Sequence, residues 1–99
     1  MRSLIISPEA TQDLNNIADY FMPLNYEVGE RLFQRFNQRC KQLATFPNSG
    51  RSYANFRQGL RGLSFEGYII FYRVTEERLT IVRVVSGRQD LSKVFSSDE

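Results

Sequence analysis

The prediction of the fold begins at Tyr68–Val74, which reads YIIFYRV. Aromatic and β-branched residues, the types that favour strands, make up almost the whole run. A run of this length without polar alternation is typical of a central strand covered on both faces. The run Leu79–Val85 (LTIVRVV) has the same character, and Thr75–Arg78 between them is predicted to be a hairpin loop. Two adjacent antiparallel strands therefore form the centre of a sheet.

Two further strands are predicted outside this pair. Leu60–Phe65 (LRGLSF) precedes the central run, with Gly62 as a weak point, and Glu66-Gly67 makes a tight turn between them. Arg2–Ser7 (RSLIIS) is a short β-branched run at the N-terminus. Dense turn chemistry at Phe46–Arg51 (FPNSGR) marks the point where the hydrophobic period changes from helical to extended.

Two amphipathic helices are predicted between the N-terminal strand and that turn. The first begins at Pro8 with Ser7 as its cap and ends at Pro23. The second is capped by Asn25 and runs to about Thr45. Their apolar stripes consist of Ala10, Leu14, Ile17, Ala18 and Phe21 in the first helix, and Val28, Leu32, Phe36, Cys40 and Leu43 in the second. The short connection predicts an antiparallel helical hairpin.

The element order is β-α-α-β-β-β, which defines an α+β fold. The helical hairpin must bury its stripe against one face of a mainly antiparallel sheet, so two layers are expected. Gly87–Asp90 ends the last strand, and a short C-terminal helix is expected to pack Leu91, Val94 and Phe95 inward. We expect residues 1–99 to form a single domain, because a chain of this size supports one core.

The composition excludes several classes of protein. Hydrophobic residues are 41% and charged residues 24% of the 99, which is typical of a globular chain rather than a disordered one. Without histidine there is no imidazole base or ligand, and one cysteine makes no intramolecular disulfide. Cys40 is predicted to be a buried structural thiol, and neither a metal nor an organic cofactor is expected. No apolar run approaches the roughly 20 residues of a membrane span, so the expected location is the cytoplasm.

The basic residues are unevenly distributed. The formal charge is +2, but residues 51–93 alone carry eight basic and four acidic residues, which is +4. Eleven of the thirteen basic residues are Arg, whose planar fork suits carboxylates and phosphates. This pattern favours an anionic partner, either nucleic acid or an acidic protein segment. The alternative is a solvated surface with internal ion pairs.

Four sequence pieces, in this order, carry a family resemblance. They are Ile6–Ala10 with Asp13, Leu14, Ile17 and Tyr20; Leu43-Ala44 with Phe46-Pro47 and Gly50-Arg51; Gly59–Arg61 with Tyr68–Val74; and Ile81–Val85 with Gly87–Asp90. Together they make the chain similar to the ParE/RelE superfamily of bacterial toxins from type II toxin–antitoxin systems. The resemblance extends from residue 3 to about residue 95 and implies the α+β fold predicted above.

The resemblance implies one of two activities. RelE-like toxins cut messenger RNA on the ribosome with basic side chains and a terminal aromatic or histidine, whereas ParE-like toxins poison DNA gyrase. Aligned on the Gly-Tyr strand start, the RelE catalytic positions fall at Ile69, near Leu60 and Gly62, and at Phe95, none of which supplies that chemistry. Arg88 matches a RelE-like basic position, although relatives often read His-Gly-Arg where this chain has Ser86 before Gly87.

We therefore predict a ParE-like toxin that inhibits gyrase by binding and is not itself an enzyme. The candidate target-binding residues are Arg61, Arg73, Arg83 and Arg88. The alternative for Arg73 and Arg83 is pairing within the sheet with Glu66 or Glu77. Two other functions stay open: a RelE-like ribosome-dependent endoribonuclease that uses Arg61 and Arg88 on ribosome-bound mRNA, and an inactive relic that only binds its antitoxin.

The resemblance also implies a cognate antitoxin partner in a hetero-oligomer. Antitoxins of the superfamily wrap a disordered, often acidic segment around the toxin, a coupled folding that buries a large area. The residues expected to contact it are Tyr20, Phe21, Phe33, Phe56, Arg61 and Arg83. Charge reversal at both Arg61 and Arg83 is expected to weaken antitoxin binding and toxicity.

Overall fold

A computed structural model describes residues 3–96. In chain order its elements are β1 Ser3–Ile6, α1 Pro8–Leu24, α2 Tyr26–Thr45, β2 Arg51–Ser52, β3 Arg61–Phe65, β4 Tyr68–Val74, β5 Arg78–Ser86 and α3 Leu91–Ser96. The predicted α+β order is confirmed. The prediction lacked only β2, whose two residues carry no periodic signal.

The strands form one sheet in the order β1-β5-β4-β3-β2. β1 runs parallel to β5, and all the other neighbours are antiparallel. The β3–β4 hairpin turns at Glu66 and Gly67, which both have a positive φ (51° and 84°). Positive φ at both central residues lets a two-residue turn match the right-handed twist of the strands that it joins. A bulge opposite Phe71 and Tyr72 shifts the register of β5.

Both helices begin at the predicted caps. The Ser7 hydroxyl accepts a hydrogen bond from the backbone N–H of Ala10 at 3.0 Å and donates one to the carbonyl of Val82 at 2.9 Å. The Asn25 side chain accepts from the N–H of Val28 at 3.2 Å. Pro23 lies within the last turn of α1, which ends one residue later at Leu24 rather than at Pro23 as predicted. Proline has no N–H to donate, but the N–H of Asn25 still donates to the carbonyl of Phe21 at 2.9 Å and closes the turn.

The main core lies between the helical hairpin and one face of the sheet. It contains Ile17, Phe36 and Leu43 from the helices and Ile70 and Ile81 from the sheet. Cys40 is also buried there, as predicted, and burial raises the pKa of its thiol to about 11.

A second apolar cluster covers the opposite face of the sheet, here called the second face. It contains Phe71 of β4, Tyr53 and Leu60 of the β2–β3 connection, and Phe95 of α3. Strand β4 is thus buried on both faces, which confirms the prediction from its unbroken apolar run. The short C-terminal helix and the inward position of Phe95 are also confirmed.

Candidate functional site

Arg61 and Tyr72 lie opposite each other on β3 and β4 and together hold the turn between α2 and β2. The Tyr72 hydroxyl donates to the carbonyl of Pro47 at 2.7 Å and accepts from the N–H of Gly50 at 3.0 Å. The Arg61 guanidinium donates to the carbonyls of Gly50 at 2.6 Å and Asn48 at 3.2 Å. We call this arrangement the turn clamp. It occupies one end of the Arg61 guanidinium with backbone contacts.

Gly50 is the point where the turn comes closest to the sheet. A Cβ atom placed there would lie 2.6 Å from both the carbonyl oxygen of Gly62 and the hydroxyl of Tyr72. Such distances require backbone movement, so any larger residue displaces the turn. The sequence pieces Gly50-Arg51, Gly59–Arg61 and Tyr68–Val74 therefore meet in one structural unit.

Arg83 contacts the first helix. Its Nε and Nη2 donate to the two carboxylate oxygens of Asp13 at 2.7 Å and 3.0 Å, and the N–H of Val84 donates to the same carboxylate at 2.9 Å. The Arg83 side chain is 28% exposed and that of Asp13 is 12% exposed. As an alternative to target binding, the sequence predicts that Arg83 pairs with Glu66 or Glu77. In the structure Arg83 pairs with Asp13 instead.

Arg73 and Arg88 are the exposed members of the predicted arginine set. Arg73 donates to the carbonyl of Gln58 at a long 3.3 Å. Within residues 3–96 the Arg88 guanidinium has no hydrogen-bond or salt-bridge partner, and only its backbone N–H is bonded, to the Ser86 hydroxyl at 3.2 Å. Glu66 pairs with Arg35 at 2.6 Å. The four predicted arginines therefore divide into two that support the fold and two whose cationic ends reach solvent.

The second face consists mainly of apolar side chains, which cannot act as acids or bases. Leu60 and Phe95 are buried there, and the rings of Tyr53, Phe56 and Phe71 pack between them. Leu60 and Phe95, with the partly buried Ile69, are positions where the resemblance places RelE-like catalytic residues. Guanidinium groups lie over this cluster: Arg51 is 4.6 Å from the ring centre of Tyr53, and Arg57 is 5.1 Å from that of Phe95.

Other candidate acids and bases are few in the described part of the chain. Burial, with a smaller contribution from Tyr20, raises the pKa of Tyr68, so its phenol stays protonated at neutral pH. No group of three or more His, Cys, Asp or Glu side chains within residues 3–96 has the spacing to hold a metal ion.

The predicted antitoxin-binding residues do not form one surface. Tyr20 is 63% exposed near the end of α1, while Phe21 and Phe33 are partly buried in the main core. Phe56 packs on the second face, across the sheet from the other three. Sequence reasoning missed Leu24 and Tyr26, exposed by 70% and 61% at the corner of the hairpin, because neither lies on an apolar stripe.

The N-terminal strand adds further exposed apolar surface. Leu4, Ile5 and Ile6 are each between 37% and 41% exposed on β1, at the edge of the sheet. No helix within residues 3–96 combines the length and hydrophobicity needed to cross a membrane. Exposed apolar groups at a hairpin corner and a sheet edge are typical of surfaces that bind another protein.

Comparisons with known proteins agree on one class, the toxins of type II toxin–antitoxin systems. The family described as "ParE toxin of type II toxin-antitoxin system, parDE" matches residues 4–91. Toxin ParE1 of Mycobacterium tuberculosis is 30% identical over 91 residues, which cover 90% of this chain and 93% of that protein. Toxin ParE3 of Caulobacter vibrioides is 30% identical over 66 residues, which cover 67% of this chain and 66% of that protein.

A solved structure is similar in fold over most of the chain. It is described as the chromosomal ParDE TA system from P. aeruginosa, with a TM-score of 0.73 and 26% identity, and the match covers 87% of this chain and 96% of that one. This chain therefore belongs to the ParE toxin family of type II toxin–antitoxin systems.

Proposed function

We propose that this toxin inhibits DNA gyrase by binding it directly, so that cleaved DNA is not resealed, and that a cognate antitoxin neutralises it. The toxin itself breaks no covalent bond. It acts in the cytoplasm, where gyrase and DNA are found. Membership of the ParE family supports this activity over the RelE-like one.

The filled second face is the observation that carries the proposal. RNA cleavage through a 2′-hydroxyl needs a base, an acid and cations around the scissile phosphate. At the corresponding positions this chain has the buried side chains of Leu60 and Phe95 and the partly buried Ile69, packed in an apolar cluster. Phenylalanine has no proton to donate, and these apolar groups offer a phosphate no hydrogen bonds. The guanidinium groups of Arg51 and Arg57 over the cluster supply cations but neither the base nor the acid that cleavage needs.

Arg73 and Arg88 are the proposed direct contacts with gyrase. Their guanidinium groups reach solvent and are available for charge-assisted hydrogen bonds with acidic groups of a partner. Arg61 and Arg83 contribute indirectly: Arg61 holds the turn clamp, and Arg83 fixes α1 against β5. Mutation of these two residues therefore affects target binding through the fold.

The proposed antitoxin contact surface is the exposed apolar corner of the helical hairpin. Tyr20, Leu24 and Tyr26 are each more than 60% exposed there. A segment that folds on binding needs apolar anchors of this kind to offset the cost of its ordering. Phe21 contacts the ring of Tyr20 and, like Phe33, is partly buried against the main core. The resulting complex is a hetero-oligomer of toxin and antitoxin.

Two assays run side by side test the proposed function. In the first, the purified chain is titrated into gyrase with relaxed plasmid, and both supercoiling and trapped cleaved DNA are measured. In the second, the same preparation is added to purified ribosomes that translate a defined message, and new RNA ends are mapped. We expect loss of supercoiling with accumulation of cleaved plasmid, and intact RNA.

Other outcomes separate the alternatives. Cleavage of message on the ribosome with normal supercoiling would identify a RelE-like endoribonuclease and refute gyrase as the target. No effect in either assay, with tight binding to the antitoxin, would identify an inactive relic.

A further inference from the structure

A long part of the chain lacks any negative charge. Between Glu30 and Glu66 there are seven basic residues and no acidic one. Four of the seven, Arg31, Arg35, Arg39 and Lys41, lie on α2 and are exposed. This concentration exceeds the +2 of the whole chain, so a local field, rather than the net charge, determines what approaches this helix.

The solvent-facing side of α2 has an unusual composition. Every exposed residue between positions 31 and 42 is basic or carries an amide; together these residues form what we call the α2 basic face. They are Arg31, Gln34, Arg35, Asn37, Gln38, Arg39 and Lys41. The apolar residues of this stretch, including Phe36 and Cys40, are directed into the core.

Three arginines form a column along this face. Arg31, Arg35 and Arg39 follow at steps of four, which on a helix places them about 6 Å apart along its axis. Like charges at this spacing oppose helix formation. Among the acidic residues between positions 3 and 96, Glu66 pairs with Arg35 at 2.6 Å, and the other two arginines have no acidic partner. Glu27, one turn before Arg31, forms no salt bridge with it, and Arg39 donates to the amide oxygen of Gln42 at 3.2 Å.

A depression runs beside the column. Its larger part, of about 410 Å³, lies between α2 and the β3–β4 turn and is lined by Arg35, Gln38, Arg39, Gln42 and Glu66. A smaller cavity of about 90 Å³ shares Arg35 and Glu66 with it, extends to Arg31 and is also lined by Val28 and Leu32. The charged column therefore borders a concave surface whose larger part is lined by hydrogen-bond donors and the Glu66 carboxylate.

The composition of the face distinguishes between two kinds of anionic partner. Protein interfaces are organised around apolar and aromatic anchors, and the α2 basic face exposes none. Arg, Lys, Gln and Asn are the residues that contact phosphates and base edges of nucleic acids. An α-helix also fits the width of the B-DNA major groove, from which its side chains can reach the flanking phosphates, whereas the deep, narrow major groove of A-form RNA excludes it.

We propose that the α2 basic face binds the phosphate backbone of duplex DNA without sequence preference. The contacts are charge-assisted hydrogen bonds from the guanidinium groups of Arg31 and Arg39, with Gln38 as a neutral donor between them. This binding is a property of the toxin alone and does not depend on gyrase or on any antitoxin. It would bring the toxin to DNA wherever DNA is accessible.

Fluorescence anisotropy of a labelled DNA duplex of about 20 base pairs, titrated with the purified full-length chain, tests the proposal. The affinity is measured between about 50 and 200 mM NaCl for the wild type, R31Q/R39Q and the charge-matched control R51Q/R78Q. Arg51 and Arg78 are exposed outside α2, so the control removes the same charge elsewhere. The Arg35–Glu66 pair is left intact, and circular dichroism verifies folding.

The expected result is salt-dependent binding by the wild type. In R31Q/R39Q the slope of log affinity against log salt should decrease in magnitude by about 1.8, since each phosphate contact contributes about 0.9. The control should keep the wild-type slope.

Four outcomes would overturn the proposal: no binding by the wild type at the lowest salt, equal loss in the control, affinity for duplex RNA as high as for DNA, or unchanged DNA binding in R31Q/R39Q. If the last came with loss of antitoxin binding, the face would instead be a protein interface. Because gyrase is absent throughout, failure here leaves the proposed inhibition of gyrase untouched.

Discussion

At the scale of single residues, the Tyr72 hydroxyl connects the sheet to a turn more than twenty residues away in sequence. It lies in the main core and bridges two backbone groups of the α2–β2 turn, the carbonyl of Pro47 and the N–H of Gly50. Both partners are far from Tyr72 in sequence, so this one oxygen joins the helical layer to the sheet. A buried polar group that loses its hydrogen-bond partner lowers the free energy of unfolding. The contribution of the Tyr72 hydroxyl can therefore be measured by removing it.

Tyr72→Phe should lower the free energy of unfolding by about 1–3 kcal/mol, because the Gly50 N–H and the Pro47 carbonyl lose their partner. Chemical denaturation followed by circular dichroism measures the change. Tyr20→Phe is the matched control, because Tyr20 is 63% exposed and should change stability by no more than about 0.5 kcal/mol. Equal effects of the two substitutions would show that the turn clamp does not stabilise the fold.

Cys40 gives a prediction about pH. Burial raises the pKa of its thiol from 9.0 to about 11. Between these values the unfolded chain loses the thiol proton while the folded chain keeps it, so the free energy of unfolding should fall as pH rises from about 9 to about 11. The difference in stability between wild type and Cys40→Ala should therefore be constant below pH 9 and shrink above it. A difference that stays constant up to pH 11 would contradict this assignment.

At the scale of elements, the Asp13–Arg83 pair fixes α1 to β5. It is bidentate, and the Asp13 carboxylate also accepts from the N–H of Val84 at the point where β5 leaves the bulge. The Arg35–Glu66 pair, which connects α2 to the β3–β4 turn, is more exposed, at 51% and 37%. We therefore expect the less exposed Asp13–Arg83 pair to contribute more to stability than the Arg35–Glu66 pair.

A double-mutant cycle on each pair compares them. The coupling energy between Asp13 and Arg83 should be about 1.5–3 kcal/mol, as expected for partly buried charged hydrogen bonds. For Arg35 and Glu66 it should be about 0.2–1 kcal/mol and should vanish at high salt. The measurement is urea denaturation of single and double alanine variants. A larger coupling for the exposed pair would refute this ranking.

Most elements of the fold were predictable because their signals are local. Ser7 and Asn25 cap helices through contacts three residues away, and the Glu66-Gly67 turn is indicated by Gly67, which adopts a positive φ without strain. The strand β2 was not predictable, because Arg51–Ser52 is too short to show alternation. Its existence depends on pairing with β3, a contact that no local pattern encodes.

The roles of the arginines were less accessible from the sequence. Arg61, Arg73, Arg83 and Arg88 looked alike as exposed cations on or beside strands. Arg61 binds carbonyls more than ten residues away, and Arg83 binds a carboxylate seventy residues away. Only the tertiary fold brings these partners together, so a sequence pattern cannot separate arginines that stabilise the fold from those free to contact a target.

At the scale of the whole molecule, the surface divides into regions with different chemistry. The hairpin corner is apolar, the α2 basic face is cationic, and Arg73 and Arg88 reach solvent from the sheet and from the loop after β5. This separation suits a protein that contacts an antitoxin, a target and DNA through different surfaces. Substitutions in one of these surfaces should therefore leave binding through the other surfaces unchanged.

R73Q/R88Q should reduce inhibition of gyrase by at least about tenfold while leaving the unfolding transition close to that of the wild type, because both side chains are exposed. The concentration for half-maximal loss of supercoiling measures the effect. Arg78→Gln, at the start of β5 and two residues from the Thr80 that pairs with Arg73, is a control for the loss of a neighbouring exposed charge. Unchanged inhibition by R73Q/R88Q would remove these residues from the target contact.

The central claim is that the toxin traps gyrase on DNA and performs no cleavage of its own. The most direct measurement is the fraction of plasmid held as a covalent gyrase–DNA complex as purified toxin is added, with a parallel sample that lacks gyrase. We predict cleaved plasmid that increases with toxin only when gyrase is present. Cleavage of nucleic acid by the toxin without gyrase, or no trapped complex at saturating toxin, would contradict the account.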